Sequence, residues 1–460
     1  MPTVRKRRSD EPKSVTPPRL PPSLNLKIEV VPIGSLAPYA GNARTHSKKQ
    51  IAQISASIRQ FGFVSPILRA EDGTVLAGHG RLAAAVSMGL ESVPTIQLDH
   101  LTSEERRAYV IADNRLAELA GWDRALLSLE LQALEALDLD FTTEITGFDG
   151  AELDRLLDLD VLAEASPEDR IPEVKGPAVT APGDLWLLGP HRLICGDARD
   201  PGVHARLMGA DAARLVFTDP PYNVKIDGNV GGKGKIARRE FAMASGEMSP
   251  GEFTQFLTDA LSAAAESSCD GSIHYVCMDW AHLGEVIAAG KAVYDAWKML
   301  IVWAKTNAGM GTFYRSQHEL ILVFKKGSSP HVNSFGLGET GRYRTNLWTY
   351  PGMNSFGAGR DAALSWHATV KPVALVADAI RDVSRRKDIV LDPFGGSGTT
   401  LIAAEKTGRR ARLMEIDTHY CDVICRRWTA FTGQPATLDQ TGETFEQVQG
   451  RRQTEAGHDT

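Results

Sequence analysis

Leu215-Val216-Phe217-Thr218-Asp219-Pro220-Pro221-Tyr222-Asn223 opens as an apolar run with the length and composition of a short buried strand, and two prolines then stop it. Neither proline can donate to a sheet ladder and each fixes φ at about −65°, so the Asp219 carboxylate and the Pro220 carbonyl are held in a stiff turn at the strand's C-terminal end. In open α/β sheets ligands sit at that end. Asp and Pro also make plain strand-ending turns, so the stretch alone admits both readings. A second stretch shifts the balance: Ile389-Val390-Leu391-Asp392-Pro393-Phe394-Gly395-Gly396-Ser397-Gly398-Thr399-Thr400 reads as strand, glycine loop and helix. It has no lysine at the phosphate-loop position and lacks the third glycine of the dinucleotide fingerprint. The next strand, Ala411-Arg412-Leu413-Met414, ends at Glu415, seventeen residues past Gly398. Doubly wound folds place an acidic group there to accept bonds from ribose hydroxyls.

The Asp-Pro-Pro-Tyr turn resembles the catalytic motif of DNA amino-methyltransferases, which methylate the exocyclic nitrogen of adenine or cytosine from S-adenosylmethionine. Such an amine is a poor nucleophile because its lone pair is delocalised into the ring. Two acceptors, the Asp219 carboxylate and the Pro220 carbonyl, can draw its N–H groups and stabilise the charge developing on nitrogen. Pro221 stiffens the turn, and Tyr222 can stack on a base extruded from the duplex. The glycine loop resembles the cofactor loop of the same family. The resemblance implies that Asp392 faces the methionine ammonium, that Phe394, Gly396, Gly398 and Thr399 form the loop, and that Glu415 takes the ribose. It also implies that His367 and Lys371 flank the cofactor and that Asp197 lies near it, although Gly-Asp is an ordinary turn as well. Asp417 reads as a helix cap.

The order of the motifs, catalytic turn before cofactor loop, resembles the β group of these enzymes and covers residues 184 to 434. It implies an α/β, Rossmann-like methyltransferase fold. Between the motifs, at about 327–366, aromatic residues alternate with Arg342, Arg344 and Asn346; the family carries its target recognition there, and such side chains read base edges. Lys233 sits in a glycine-rich run after the catalytic turn, read as a loop closing on DNA or as plain surface. Asp at the first motif position is commoner among adenine-N6 enzymes, so adenine is expected, with cytosine N4 as the alternative. A non-catalytic DNA-binding regulator is opposed by the intact Asp219, Tyr222 and Gly398.

Upstream, residues 25–121 read as an α+β domain: a strand over 28–33, a helix over 48–60, strands near 67–68 and 74–76, an Ala-rich helix opened by Gly78-His79-Gly80-Arg81, and a strand over 93–96. Asn42-Ala43-Arg44-Thr45-His46, Phe61-Gly62-Phe63-Val64-Ser65-Pro66-Ile67 and the Gly78 turn resemble the ParB-like superfamily of partition proteins and sulfiredoxins. The turn departs from the partition proteins' G-E-R-R, and no cysteine is present for sulfiredoxin chemistry. Arg44, His46 and Arg81 are the expected phosphate contacts. For His46 and His79 a structural role stays open.

The rest reads as a basic, Pro-rich tail (1–24), an acidic helical connector and linker (122–182), the transferase (183–434) and a polar tail (435–460). Residues 123–169 hold fourteen Asp or Glu against two Arg, so the net charge of −6 conceals basic clusters elsewhere that suit double-stranded DNA. Self-association is left open. Five cysteines without C-x-x-C spacing give no sign of structural zinc or disulfides, and no metal is expected. A fused nuclease in the first domain is disfavoured because no carboxylate cluster is visible there. No apolar run approaches the roughly 20 residues of a membrane span, and the expected setting is cytoplasmic, in a prokaryote or phage.

Overall fold

Alternation of apolar strands and amphipathic helices beyond residue 184 builds one ten-stranded sheet, and a five-stranded sheet precedes it. The computed structural model describes residues 26–137, 139–157, 169, 171–172, 176–224, 243–306, 313–336, 344–352 and 370–458. Lys233, Arg342 and His367 lie outside them. Contacts divide the chain into two units, Met1–Phe148 and Asp149–Thr460.

In the first unit, β1 (Ile28–Pro32), β2 (Ala37–Pro38), β3 (Ile67–Arg69), β4 (Thr74–Ala77) and β5 (Ser92–Gln97) lie in the order β1-β5-β3-β4-β2. Ser47 caps the helix Lys48–Phe61 by accepting from the Gln50 amide. The helix His79–Ser87 starts from Gly78 at φ 94°, a left-handed conformation that favours glycine. Thr102 and Glu105 form a reciprocal capping box on the helix Ser103–Leu119.

In the second unit the strands are β6 (Leu185–Leu188), β7 (His191–Cys195), β8 (Ala213–Thr218), β9 (Ser268–Met278), β10 (Ala296–Lys305), β11 (His318–Lys325), β12 (Leu347–Tyr350), β13 (Ile389–Asp392), β14 (Arg410–Glu415) and β15 (Thr437–Leu438). Their order is β12-β10-β11-β9-β8-β13-β14-β7-β6-β15. β8 pairs in parallel with both β9 and β13. The chain leaves β8 toward β9 on one side and returns later as β13 on the other. The ends of β8 and β13 therefore flank the crevice where an open sheet binds ligands.

Two expectations need correction. The segment 435–460 is no tail: β15 pairs with β6, Phe445 and Val448 are fully buried, and the Phe445 ring lies 5.3 Å from that of Trp186. Two apolar residues three apart are enough to seat one stripe of the otherwise polar helix Phe445–His458. Nor is 122–182 a connector throughout. The helix Arg124–Ala136 belongs to the first unit, whereas the helix Gly150–Leu157 belongs to the second. There Asp154 receives two bonds from the buried Arg409 guanidinium, at 2.8 and 2.9 Å. Asp154, counted above with the acidity of the connector, is thus an internal ion-pair partner.

Candidate active site

Because β8 and β13 are register neighbours, with Leu391 opposite Val216, the Asp219 turn and the glycine loop come side by side at the same sheet edge. Asn223 sits at φ 55°, and its side chain accepts from the Gly246 and Met248 amides and donates to the Met248 carbonyl. This pins the far side of the turn to the segment ahead of the helix Pro250–Glu266.

Asp219 lies in a buried network. The Tyr222 hydroxyl donates to Asp219 Oδ1 at 2.6 Å, and Lys371 Nζ donates to Asp219 Oδ2 at 2.5 Å. Lys371 also pairs with Glu319 at 3.0 Å, and Glu319 with Lys305 at 2.5 Å. Burial pushes the Asp219 carboxyl above the usual carboxylate range, against the pull of Lys371. Burial acts on Glu319 likewise, but Lys371 and Lys305 outweigh it and hold that carboxyl at about 2. The Lys371 ammonium is raised because Asp219 and Glu319 outweigh its own burial.

Beside this network a cleft is lined by the Asp219–Tyr222 turn, Lys371, the loop residues 392–397, Thr399, Thr400 and Glu415. Asp392 accepts from Thr400 Oγ1 and from the Phe394 amide. Glu415 accepts from the Gly396 and Asp417 amides. No cation is among these partners, and burial lifts Asp392 to about 8 and Glu415 to about 7. Two buried carboxylates whose partners among the described residues are neutral donors suit a ligand that carries positive charge. Gly398 caps the helix Thr399–Lys406 at φ 81°, and a Cβ there would lie 3.1 Å from Ile424. The loop thus needs glycine for its backbone and for its fit against the helix Thr418–Thr432.

Other expected site residues fall as follows. Pro220, Pro221, Phe394, Gly396 and Thr399 line the cleft. Asp197 lines it too, but Arg199 clamps its carboxylate, with the closest contact at 2.7 Å. Asp417 caps the helix Thr418–Thr432 by accepting from the His419 amide. Lys371, expected to flank the cofactor, lines the cleft and also donates to the Asp219 carboxylate. Arg344, expected to read bases, is instead held by Asp382 at 2.9 Å and by the Tyr350 hydroxyl at 3.2 Å, and stacks on Trp348. A guanidinium so paired is committed to packing, and this corrects the expectation. In the first unit, Arg81 donates to the Pro66 carbonyl, His46 Nδ1 lies 3.0 Å from Gln50 Oε1, and Arg44 pairs with Glu118. Glu319 and Lys305 were not singled out from sequence. The available signal was a charge at the end of each of two apolar strands.

A family model described as DNA methylase matches residues 213–426, and one described as a ParB-methyltransferase HTH domain matches 125–182, most of the stretch read above as a connector. The ParB-like nuclease domain-containing protein YnaK of Escherichia coli (strain K12) is 49% identical over 85 residues, covering 18% of this chain and 98% of that protein. The type II methyltransferase M2.MboI of Moraxella bovis is 26% identical over 140 residues, 29% of this chain and 50% of that enzyme. Among solved structures, the PvuII DNA methyltransferase (cytosine-N4-specific) aligns with a TM-score of 0.40 at 16% identity, covering 56% of this chain and 89% of that one. The chain carries an S-adenosylmethionine-dependent DNA methylase domain of the adenine-N6 and cytosine-N4 amino-methyltransferase family over residues 213–426, with a ParB-like domain ahead of it. Among the described residues no group of three or more His, Cys, Asp or Glu could hold a metal, and no helix is long and apolar enough to cross a membrane.

Proposed function

We propose that the chain methylates adenine N6 in double-stranded DNA in the cytoplasm, with Asp219 and the Pro220 carbonyl as the acceptors for the target amine. The observation that carries this reading is the Asp219 carboxylate, bonded on both oxygens yet beside the cleft, at the end of the strand adjoining the cofactor loop. Bound S-adenosylmethionine supplies an electrophilic methyl group on a sulfonium. Asp392 would hold its ammonium and Glu415 its ribose, since both are buried acceptors on that cleft. Each Asp219 oxygen keeps a lone pair beyond the bond it already accepts, enough to take an N–H of the amine. Drawing on that N–H localises the nitrogen lone pair. A carboxyl whose pKa is raised by burial is then a competent acceptor for the proton that the methylated amine must lose.

Adenine is favoured by Asp at the first motif position. Cytosine N4 is the second reading, because nothing in the described cleft excludes a pyrimidine. The first unit would bind DNA or a nucleotide through Arg44, His46 and Arg81 and supply no catalytic group. Nucleoside mass spectrometry of DNA from cells expressing the chain decides the base. N6-methyladenine is expected, and N4-methylcytosine without N6-methyladenine would reverse the assignment.

A further inference from the structure

We propose that Lys371 and Glu319 are positioning residues for methyl transfer: Lys371 holds Asp219 as an oriented carboxylate beneath the target amine, and Glu319, braced by Lys305, fixes Lys371 in place. This role rests on the methyltransferase reading above. Four segments distant in sequence contribute to it. Asp219 follows β8, Lys305 ends β10, Glu319 opens β11, and Lys371 stands two residues before the helix Val373–Val383. They converge as an alternating chain of charge, Lys305 to Glu319 at 2.5 Å, Glu319 to Lys371 at 3.0 Å, and Lys371 to Asp219 at 2.5 Å. The Lys371 side chain is 4% exposed and that of Glu319 10%. Two buried carboxylates this near one another would not both ionise without a cation between them.

Donor counting fixes the direction of every bond. An ammonium has three protons, and Lys371 has three acceptors: Asp219 Oδ2 at 2.5 Å, Glu319 Oε2 at 3.0 Å and the Tyr222 hydroxyl oxygen at 3.1 Å. None is left for the target base, so Lys371 acts through Asp219. Because the Tyr222 oxygen accepts from Lys371, its own proton is directed to Asp219 Oδ1, at 2.6 Å, over Glu319, at 3.3 Å. Both Asp219 oxygens are thereby oriented by defined donors. The plane of the carboxylate is set before DNA arrives, which is the preorganisation that electrostatic catalysis needs. Among the described residues, the other charged or titratable groups that bear on this site are Asp392 at the end of β13 and Cys277 on β9, and both are near enough to couple with Asp219. Lys371 lowers the Asp219 pKa, whereas Glu319 raises it.

The test is the pH dependence of single-turnover methylation of a DNA duplex by the full-length chain, with S-adenosylmethionine affinity measured alongside. Wild-type transfer must be seen first, and its absence would sink the methyltransferase reading whatever the variants do. Given wild-type activity, Lys371→Met is expected to move the acid limb to higher pH and to recover as pH rises. At a fixed acidic pH the rate falls about tenfold for every pH unit by which the limb moves. Glu319→Gln is expected to move the same limb to lower pH and to reduce the plateau rate, because Lys371 loses its brace. Lys371→Arg should keep the limb near its wild-type position. A role confined to fold stability would lower rates without moving the limb. The proposal is overturned if the limb stays in place in Glu319→Gln or moves upward there. If Lys371→Met does not fold, Glu319→Gln alone decides.

Discussion

Asp154→Ala measures whether the segment just after residue 148 is part of the transferase or a tether leading to it. In the structure Asp154 is the carboxylate partner of Arg409, whose side chain is 0% exposed, and Arg386 lies 3.6 Å from the same carboxylate. The remaining bonds of Arg409 go to the Ser384 hydroxyl, the Ser384 carbonyl and the Thr407 carbonyl. These satisfy N–H groups but cannot neutralise a buried guanidinium. Removing one partner of a buried pair costs about 3–5 kcal/mol, because the other charge stays in low dielectric. For a unit of this size, at about 2.1 cal/mol/K of unfolding entropy per residue, that corresponds to a fall in midpoint of roughly 5–8 °C. Seven of the eight tryptophans lie beyond residue 148, so thermal unfolding followed by tryptophan fluorescence reports on the second unit. A midpoint change corresponding to less than about 0.5 kcal/mol, the range of ordinary surface substitutions, would refute the assignment of this segment to the transferase.

Further outcomes follow from the same geometry. A fragment of residues 149–460 should methylate short duplexes in low salt, where weakened electrostatic binding limits least, whereas one starting at 171 should be markedly less stable for want of Asp154. A folded 149–460 fragment with no transfer at saturating DNA and cofactor would show that the first unit completes the active site. Gly398→Val places a branched side chain at φ 81° against Ile424, and S-adenosylmethionine affinity measured by calorimetry should fall at least about fivefold, given a strain cost above about 1 kcal/mol; unchanged affinity would remove the loop from the cofactor site. Arg344→Ala should lower thermal stability and slow methylation equally at all sites. A changed recognition sequence in that variant, read by sequencing modified bases, would restore Arg344 to base reading.

The sheet and its cleft were legible because strand ends in this chain are marked by abrupt chemistry. Two prolines follow Thr218, and a glycine loop follows Asp392. Each mark is local, so each could be read without knowing what packs against it. The network behind Asp219 could not be read this way. Glu319 lies a hundred residues from Asp219 and becomes its neighbour only through the pairing of β9 with β11 and of β8 with β9. Arg344 failed for the same reason, since its partner Asp382 is 38 residues on and nothing local distinguishes a structural arginine from a DNA contact. The C-terminal segment was read as polar because four buried apolar residues, Ala436, Leu438, Phe445 and Val448, are too few to outweigh the composition around them.

The central claim, that Asp219 acts on the target amine and not on the cofactor, is tested most directly by measuring methyl transfer and S-adenosylmethionine binding on the same preparation of Asp219→Ala. Among the described residues the network around Asp219 shares no hydrogen bond with Asp392 or Glu415, so the two readouts should part. Cofactor affinity is expected to stay within a few-fold of wild type, while the transfer rate falls by at least about 10²–10³, the cost of removing one preorganised transition-state contact. Transfer at the wild-type rate by Asp219→Ala, with the fold intact, would contradict the account.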